Sequence, residues 1–290
     1  MDLFFKKLDP LKILKTRLEL FSFLSPFRSF RQKIGLVPTM GALHSGHLSL
    51  IERAKHESDV VVCSIFVNPT QFNDPHDLEK YPRSIEKDIE LLKGVYCDAL
   101  FLPDLTEIYP DNEVKWEIDL EGLDKHLEGA VRPGHYQGVT QVVKILFDIV
   151  SPNFAFFGQK DYQQVLVINK MIDKLKMNVK VVMCPTMREK DGLAMSSRNI
   201  HLSEVERKNA LALYSALTLA QNIIANKSIH QTIEEVTNYL RTSEGIDLEY
   251  FQLCDGLTLE PASSKHNIKL IALVAARLGR TRLIDNIILN

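Results

Sequence analysis

The stretch Ile34-Gly35-Leu36-Val37-Pro38-Thr39-Met40-Gly41-Ala42-Leu43-His44-Ser45-Gly46-His47-Leu48 decides the fold. Its first four residues make a short apolar segment of the kind that forms a strand inside a sheet. Beyond it, Leu48, Leu50, Ile51 and Ala54 fall at the spacing of one helix face. A strand therefore hands over to a helix, and two imidazoles, His44 and His47, sit at the handover. Backbone N–H groups point outward at a helix start and the dipole is positive there, so the place suits a phosphate. Gly41 and Gly46 lack a Cβ and let the chain approach a ligand closely. Two plainer readings compete. A lone His at a helix start more often caps it or faces solvent, and an H-x-x-H pair can bind zinc. Zinc needs further ligands, and Cys63, Cys97, Cys184 and Cys254 are scattered with no C-x-x-C.

Working outward, short apolar runs alternate with helical ones. Asp59 to Val67 is rich in β-branched residues and reads as a strand buried on both faces. Ala99 to Leu102, Asn153 to Phe157 and Val179 to Met183 read as further strands. Val139, Val142, Val143, Leu146, Phe147 and Val150 mark one helix face, ended by Pro152, and Asp161 to Leu175 holds another helix. Such alternation predicts an α/β fold, a doubly wound, parallel, Rossmann-like sheet. Ligands on such sheets bind at the carboxyl ends of the strands, where the two-histidine loop lies.

After Cys184-Pro185 the composition turns polar and turn-rich, so residues 185–200 read as a loop or hinge. Ser203 and Glu206 form a capping box ahead of a long helix to about Ile224. A helical stretch around Ile233 to Leu240 and strands at Leu248 to Leu253 and Ile268 to Ala276 follow. The expected division is a Rossmann-like domain over 1–185, with 1–32 a peripheral helical segment, and a smaller α+β lid domain over 186–290.

Composition narrows the class. The 290 residues suffice for two domains of about 100–200 residues each. A formal charge of −2 with no Lys/Arg block leaves no nucleic-acid footprint, which disfavours a tRNA synthetase. Leu18 to Phe27 is interrupted by Glu19 and Pro26 and preceded by Asp2 and Asp9, unlike a secretory signal. No run of about 20 apolar residues is present to span a membrane. Scattered cysteines in a chain this long suggest cytoplasmic thiols.

Further motifs follow in order. They are Phe66-Val67-Asn68-Pro69-Thr70-Gln71-Phe72, then Arg132-Pro133-Gly134-His135-Tyr136-Gln137-Gly138-Val139, then Phe157-Gly158-Gln159-Lys160-Asp161-Tyr162-Gln163-Gln164. Met195-Ser196-Ser197-Arg198-Asn199 and Thr281-Arg282-Leu283-Ile284-Asp285-Asn286 complete the series. The H-x-G-H pattern resembles that of the nucleotidylyltransferase and class I synthetase superfamily, and the whole ordered set resembles the pantoate–β-alanine ligase family. The resemblance runs from about Ile34 to Asn199 and resumes at Thr281. Departures are small: Tyr136 for Phe, Gln141 for Thr, Met195 for Leu, and Asn73 where Gly is frequent.

The resemblance implies that pantoate attacks the α-phosphate of ATP, and that β-alanine then displaces AMP from the pantoyl adenylate. It implies catalytic roles for His44, His47, Lys160 and Arg198, the imidazoles acting as neutral donors to phosphate at the positive end of a helix. It further implies an ATP site of Met40, Gly41, Ala42, Leu43, His44, Ser45, Gly46, His47, Gly158, Gln159, Lys160, Asp161, Met187, Met195, Ser196, Ser197 and Arg198. Gln71, Gln164, Met40 and Phe72 would hold pantoate, and Gln71, with Arg132 as a second candidate, β-alanine. Mg²⁺ would accompany ATP, with Asp88 a candidate ligand, and a homodimer is implied. Read alone, several of these residues have ordinary explanations. Asp161 and Gln164 match a capping box, Lys160 a surface charge, Arg132 a salt-bridge partner, and Asp88 a surface carboxylate. Another nucleotidylyltransferase, or a nucleotide sensor without chemistry, are the alternative functions.

Overall fold

A computed structural model describes residues 11–72, 78–79, 81–110, 116–265 and 269–289. Asn73 and residues 1–10 lie outside the described residues. The chain divides into two compact units that are not continuous in sequence. The first comprises residues 1–119, 132–158 and 167–184; the second comprises 120–131, 159–166 and 185–290.

The first unit is built on β1 (Lys12–Leu14), α1 (Arg17–Ser29), β2 (Ile34–Thr39), α2 (Ser45–Glu57), β3 (Val60–Ile65), α3 (Ile85–Gly94) and β4 (Ala99–Phe101). The long helix α4 (His135–Val150), β5 (Phe154–Gly158) and β6 (Lys180–Cys184) complete it; α5 (Tyr162–Leu175) joins the last two strands. Six strands pair in parallel in the order β1-β4-β3-β2-β5-β6. Every residue of β3 is buried, as its unbroken apolar sequence requires of a central strand. On α4, the helix-spaced residues Val139, Val142, Val143, Leu146, Phe147 and Val150 are all buried. On α2, Leu50, Ile51 and Ala54 are buried and Leu48 partly so, in a cluster with Val37, Val61 and Ile65. The parallel sheet and its helices thus match the expectation from periodicity.

Between β2 and β5 the strand order reverses: the chain proceeds outward through β3 and β4, then returns to the other side of β2. The loop after β2 therefore opens at the switch point, the standard ligand position in such sheets. The N-terminal segment departs from expectation. Lys12–Leu14 is not helical but adds an edge strand, in register with Ala99 to Phe101. Among the described residues the segment is helical from Arg17, started by a Thr16–Glu19 capping box and carrying Pro26 within it.

The second unit contains α6 (Glu204–Asn209), α7 (Leu211–Ile223), α8 (Ile229–Thr242), β7 (Asp247–Asp255), β8 (Leu270–Leu278) and β9 (Thr281–Ile288). Its strands form an antiparallel sheet in the order β7-β8-β9. The Ser203–Glu206 capping box forms as predicted. The single helix expected to Ile224 is interrupted at Ala210, where α6 ends and α7 begins. Leu213, Ala216, Leu217 and Ala220 of α7 pack with Val236 and Leu240 of α8 and Leu270, Ala272 and Val274 of β8.

Candidate active site

In the first unit, the loop after β2 is shaped by its backbone. Gly41 has φ +81°, and a Cβ there would lie 3.1 Å from a carboxylate oxygen of Asp88, so only glycine fits without strain. Ala42 follows with φ +50°. The turn is held by that carboxylate: Ala42 N–H donates to Asp88 Oδ2 at 2.9 Å and Leu43 N–H to Oδ1 at 2.8 Å. Ser84 Oγ adds a third hydrogen bond at 3.3 Å. Asp88 lies in the first turn of α3 and is fully buried. This corrects its reading as a surface carboxylate. Both oxygens are committed to N–H donors, and the residue anchors the loop.

Helix α2 begins at Ser45, which makes His44 its N-cap and His47 its third residue. The two form a capping box made of imidazoles. Gly46 N–H donates to His44 Nδ1 at 3.1 Å, and His44 N–H to His47 Nδ1 at 3.4 Å. The ring centroids are 4.1 Å apart. A nitrogen that accepts carries no proton, so each neutral ring bears its hydrogen on Nε2. The capping and phosphate readings of these histidines are therefore compatible: Nδ1 serves the backbone and Nε2–H is a donor.

The loop after β3 supplies Gln71, which ends the turn Pro69–Gln71 and is buried. Its side chain reaches Met40, with Nε2 donating to Sδ at 2.9 Å. Asn68 Nδ2 donates to Gln71 Oε1 at 3.3 Å and to the Gly138 carbonyl at 3.1 Å, while Asn68 Oδ1 accepts from Tyr109 Oη at 2.8 Å. Phe72 packs edge-on against Tyr81. The loop presses so closely on α4 that a Cβ at Gly138 would come within 2.4 Å of the Thr70 carbonyl oxygen. The Gln71 carbonyl also accepts from His135 Nδ1 at 2.7 Å and from Arg132 at 3.3 Å. His135 therefore carries its proton on Nδ1, opposite to His44 and His47, and its Nε2 faces Arg132 Nη1 at 3.2 Å. Arg132 is thus fixed to the Gln71 loop. Tyr136 and Gln141, two of the departures, are buried on α4.

Gly158 ends β5. In the second unit, Gln159–Asp161 form a single 3₁₀ turn leading into α5. Lys160 Nζ lies 3.6 Å from Asp161 Oδ1. Of the paired glutamines, Gln163 is buried: it accepts from Glu128 N–H at 3.1 Å and donates to the Leu123 and His126 carbonyls at 2.7 and 2.9 Å. Gln164 is partly exposed. Met195 N–H donates to the Met187 carbonyl at 3.0 Å. Ser196 caps the 3₁₀ turn Ser197–His201 by accepting from Arg198 N–H at 3.2 Å.

Three residues that hold these loops were not singled out individually from the sequence. Arg188 donates to both oxygens of Asp285, at 2.5 and 2.9 Å, and to the Gly192 carbonyl at 3.1 Å. Burial pushes the Asp285 carboxyl above its ordinary range, against the pull of Arg188. Asn286 contacts the backbone of Gln159 and Lys160. The signal available was a charged-polar pair, Asp285-Asn286, set between the apolar pairs Leu283-Ile284 and Ile287-Ile288.

Comparison with known proteins agrees with this architecture. The family described as pantoate-beta-alanine ligase matches residues 12–288. Pantothenate synthetase of Thermotoga petrophila is 46% identical over 282 residues, covering 97% of this chain and all of that protein. The enzyme of Christiangramia forsetii is 47% identical over 265 residues, covering 91% and 94%. The crystal structure of pantothenate synthetase from Thermus thermophilus superposes with a TM-score of 0.90 at 41% identity, covering 96% and 99%. That of pantoate-beta-alanine ligase from Francisella tularensis, complexed with beta-gamma ATP and beta-alanine, gives 0.80 at 39% identity, covering 96% and 97%. The two-histidine loop, its switch-point position and these full-length likenesses together establish that the chain belongs to the pantoate–β-alanine ligase family.

Proposed function

We propose that this ligase condenses pantoate with β-alanine at the expense of ATP by way of a pantoyl adenylate. A carboxylate does not react with an amine directly, because the leaving group would be oxide. In the first step a pantoate oxygen attacks the α-phosphorus, the bond from phosphorus to the bridging oxygen breaks, and pyrophosphate departs. In the second, the amine nitrogen of β-alanine attacks the acyl carbon, the acyl C–O bond breaks, AMP leaves, and nitrogen releases a proton. Both steps demand orientation and neutralisation of phosphate charge.

The observation that carries this reading is the imidazole capping box at the switch point. With both Nδ1 atoms accepting from the backbone, each neutral ring carries its hydrogen on Nε2, a donor that would serve charge moving onto pyrophosphate. The backbone N–H groups at the start of α2 add to the same field. By resemblance, Lys160, Ser196, Ser197 and Arg198 meet the phosphates, and Gly158, Gln159, Asp161, Met187 and Met195 complete the nucleotide contacts. Gln71 and Gln164 bind the polar groups of pantoate, with Met40 and Phe72 as apolar wall. Gln71 and Arg132 are the candidates for β-alanine. The Francisella ligase's complex with beta-gamma ATP and beta-alanine supports the same substrates here.

Mg²⁺ enters with the nucleotide, where it offsets charge on the phosphates and takes few protein ligands. Among the described residues no group of three or more His, Cys, Asp and Glu is placed to hold a metal. No step is therefore assigned to a protein-held ion. Cytoplasmic residence is supported by cysteines that remain thiols. No helix among the described residues is long and apolar enough to cross a membrane. A homodimer rests on the resemblance and is checked by sedimentation.

The test is exchange of labelled pyrophosphate into ATP, with pantoate and without β-alanine. Pantoate-dependent exchange is expected; its absence in a folded sample that still makes pantothenate would rule out the adenylate.

A further inference from the structure

The segment Thr281 to Asn286 extends the family resemblance, yet nothing in the proposed chemistry uses it. The structure places it in β9, and Asp285 and Asn286 are among the most buried polar residues of the second unit, with 4% and 3% of their surface exposed. Asn286 Nδ2 donates to two successive carbonyls, Gln159 at 2.9 Å and Lys160 at 2.8 Å. Its Oδ1 faces the amide of Gln159 at 3.3 Å. A 3₁₀ turn of three residues has little hydrogen bonding of its own, so an external amide gripping two of its carbonyls sets its course. Asp285, the neighbour in sequence, accepts from Arg188, which also donates to Gly192 in the turn leading towards Met195-Ser196-Ser197-Arg198.

We propose that Asn286 is a positioning residue for Lys160, fixing the backbone from which the ammonium is presented. It touches no substrate and acts by holding the two carbonyls that flank and follow the Lys160 Cα. The inference rests on the reading that Lys160 meets phosphate, and the experiment separates the two. Asn286→Asp has the same shape but replaces the amide with an oxygen that repels both carbonyls.

The measurement is a double-mutant cycle in pyrophosphate exchange over wild type, Lys160→Ala, Asn286→Asp and the double variant. Misplacing a reactive group by about 1 Å can cost about 10²-fold, so Asn286→Asp is expected to lower exchange by about ten- to a hundredfold. The loss should fall on kcat and the KM for ATP, with the KM for pantoate unmoved. The double variant should be no slower than Lys160→Ala, because a residue acting through Lys160 has nothing to position once the ammonium is gone. If Lys160→Ala is slow and the two losses multiply, the positioning role is overturned while the phosphate role of Lys160 stands. If Lys160→Ala exchanges at the wild-type rate, the phosphate reading fails and the inference falls with it. Should Asn286→Asp not fold, the cycle is run with Asn286→Ser, which shortens the side chain and introduces no charge.

Discussion

At His44 and His47 one ring nitrogen caps the helix and the proposed phosphate contact falls to the other, so substitution can divide the two. Asparagine caps helices well and offers an oxygen near the place of Nδ1, but nothing at Nε2. His44→Asn should change unfolding free energy by less than about 0.5 kcal/mol, while exchange falls about 10²–10³-fold, as when an oxyanion donor is removed. Denaturant melts and the exchange assay check the two halves separately. Asp88 gives a contrasting case. Asp88→Ala strands two buried N–H groups and should cost about 3 kcal/mol or more of stability. It should slow exchange without shifting the half-saturating Mg²⁺ concentration; a rise in that concentration would support a metal role instead. Proximity of the Asp88 carboxyl to residue 41 was not legible in sequence, because 46 residues separate it from Ala42. The histidines were legible because cap and site share one local segment.

Among the elements, legibility followed both periodicity and tertiary setting. The helix face from Val139 to Val150 and the β-branched run of β3 declare themselves over many residues. Strand β1, Lys12–Leu14, opens on an exposed lysine and exists because β4 offers it an edge, whereas the equally short β4 is wholly apolar and buried and was read from the sequence. Strand β9 was passed over as a strand because Asp285-Asn286 interrupts its apolar residues, and those two residues carry the contacts to Arg188 and to the Lys160 turn. The break at Ala210 gave no warning, since neither Gly nor Pro marks it. Helix α4 and the Gln71 loop make a further prediction. Gly138→Ala would drive a methyl into the Thr70 carbonyl, so the loop must shift away from α4. The expected result is lower thermal stability, by about 1–3 kcal/mol as for overpacking, with a raised KM for pantoate. An unchanged KM would separate this packing from the pantoate pocket.

For the whole molecule, the thiols report on folding. Cys63, Cys97, Cys184 and Cys254 are all free and buried. Burial pushes Cys97 and Cys254 up to about 12 from an ordinary value of 9.0, and Cys63 well above it. The unfolded chain thus releases these protons at lower pH than the folded one. Their contribution is fully present below pH 9 and is lost as pH rises from about 9 to about 12. Urea midpoints should decline across that window. A disulfide reagent at neutral pH should label the native chain slowly and the unfolded chain at all four thiols; rapid labelling of the native chain would contradict this burial.

The contacts of β9 also bear on when the molecule becomes competent during its own synthesis. Asn286 follows Lys160 by 126 residues, and Arg282 follows its partner Glu128 by 154. A nascent chain that has emerged only through β8 has its histidine loop and complete parallel sheet, but no amide to set the Lys160 turn. If Asn286 positions Lys160 as proposed, such a chain should exchange pyrophosphate about ten- to a hundredfold more slowly than one in which β9 has paired.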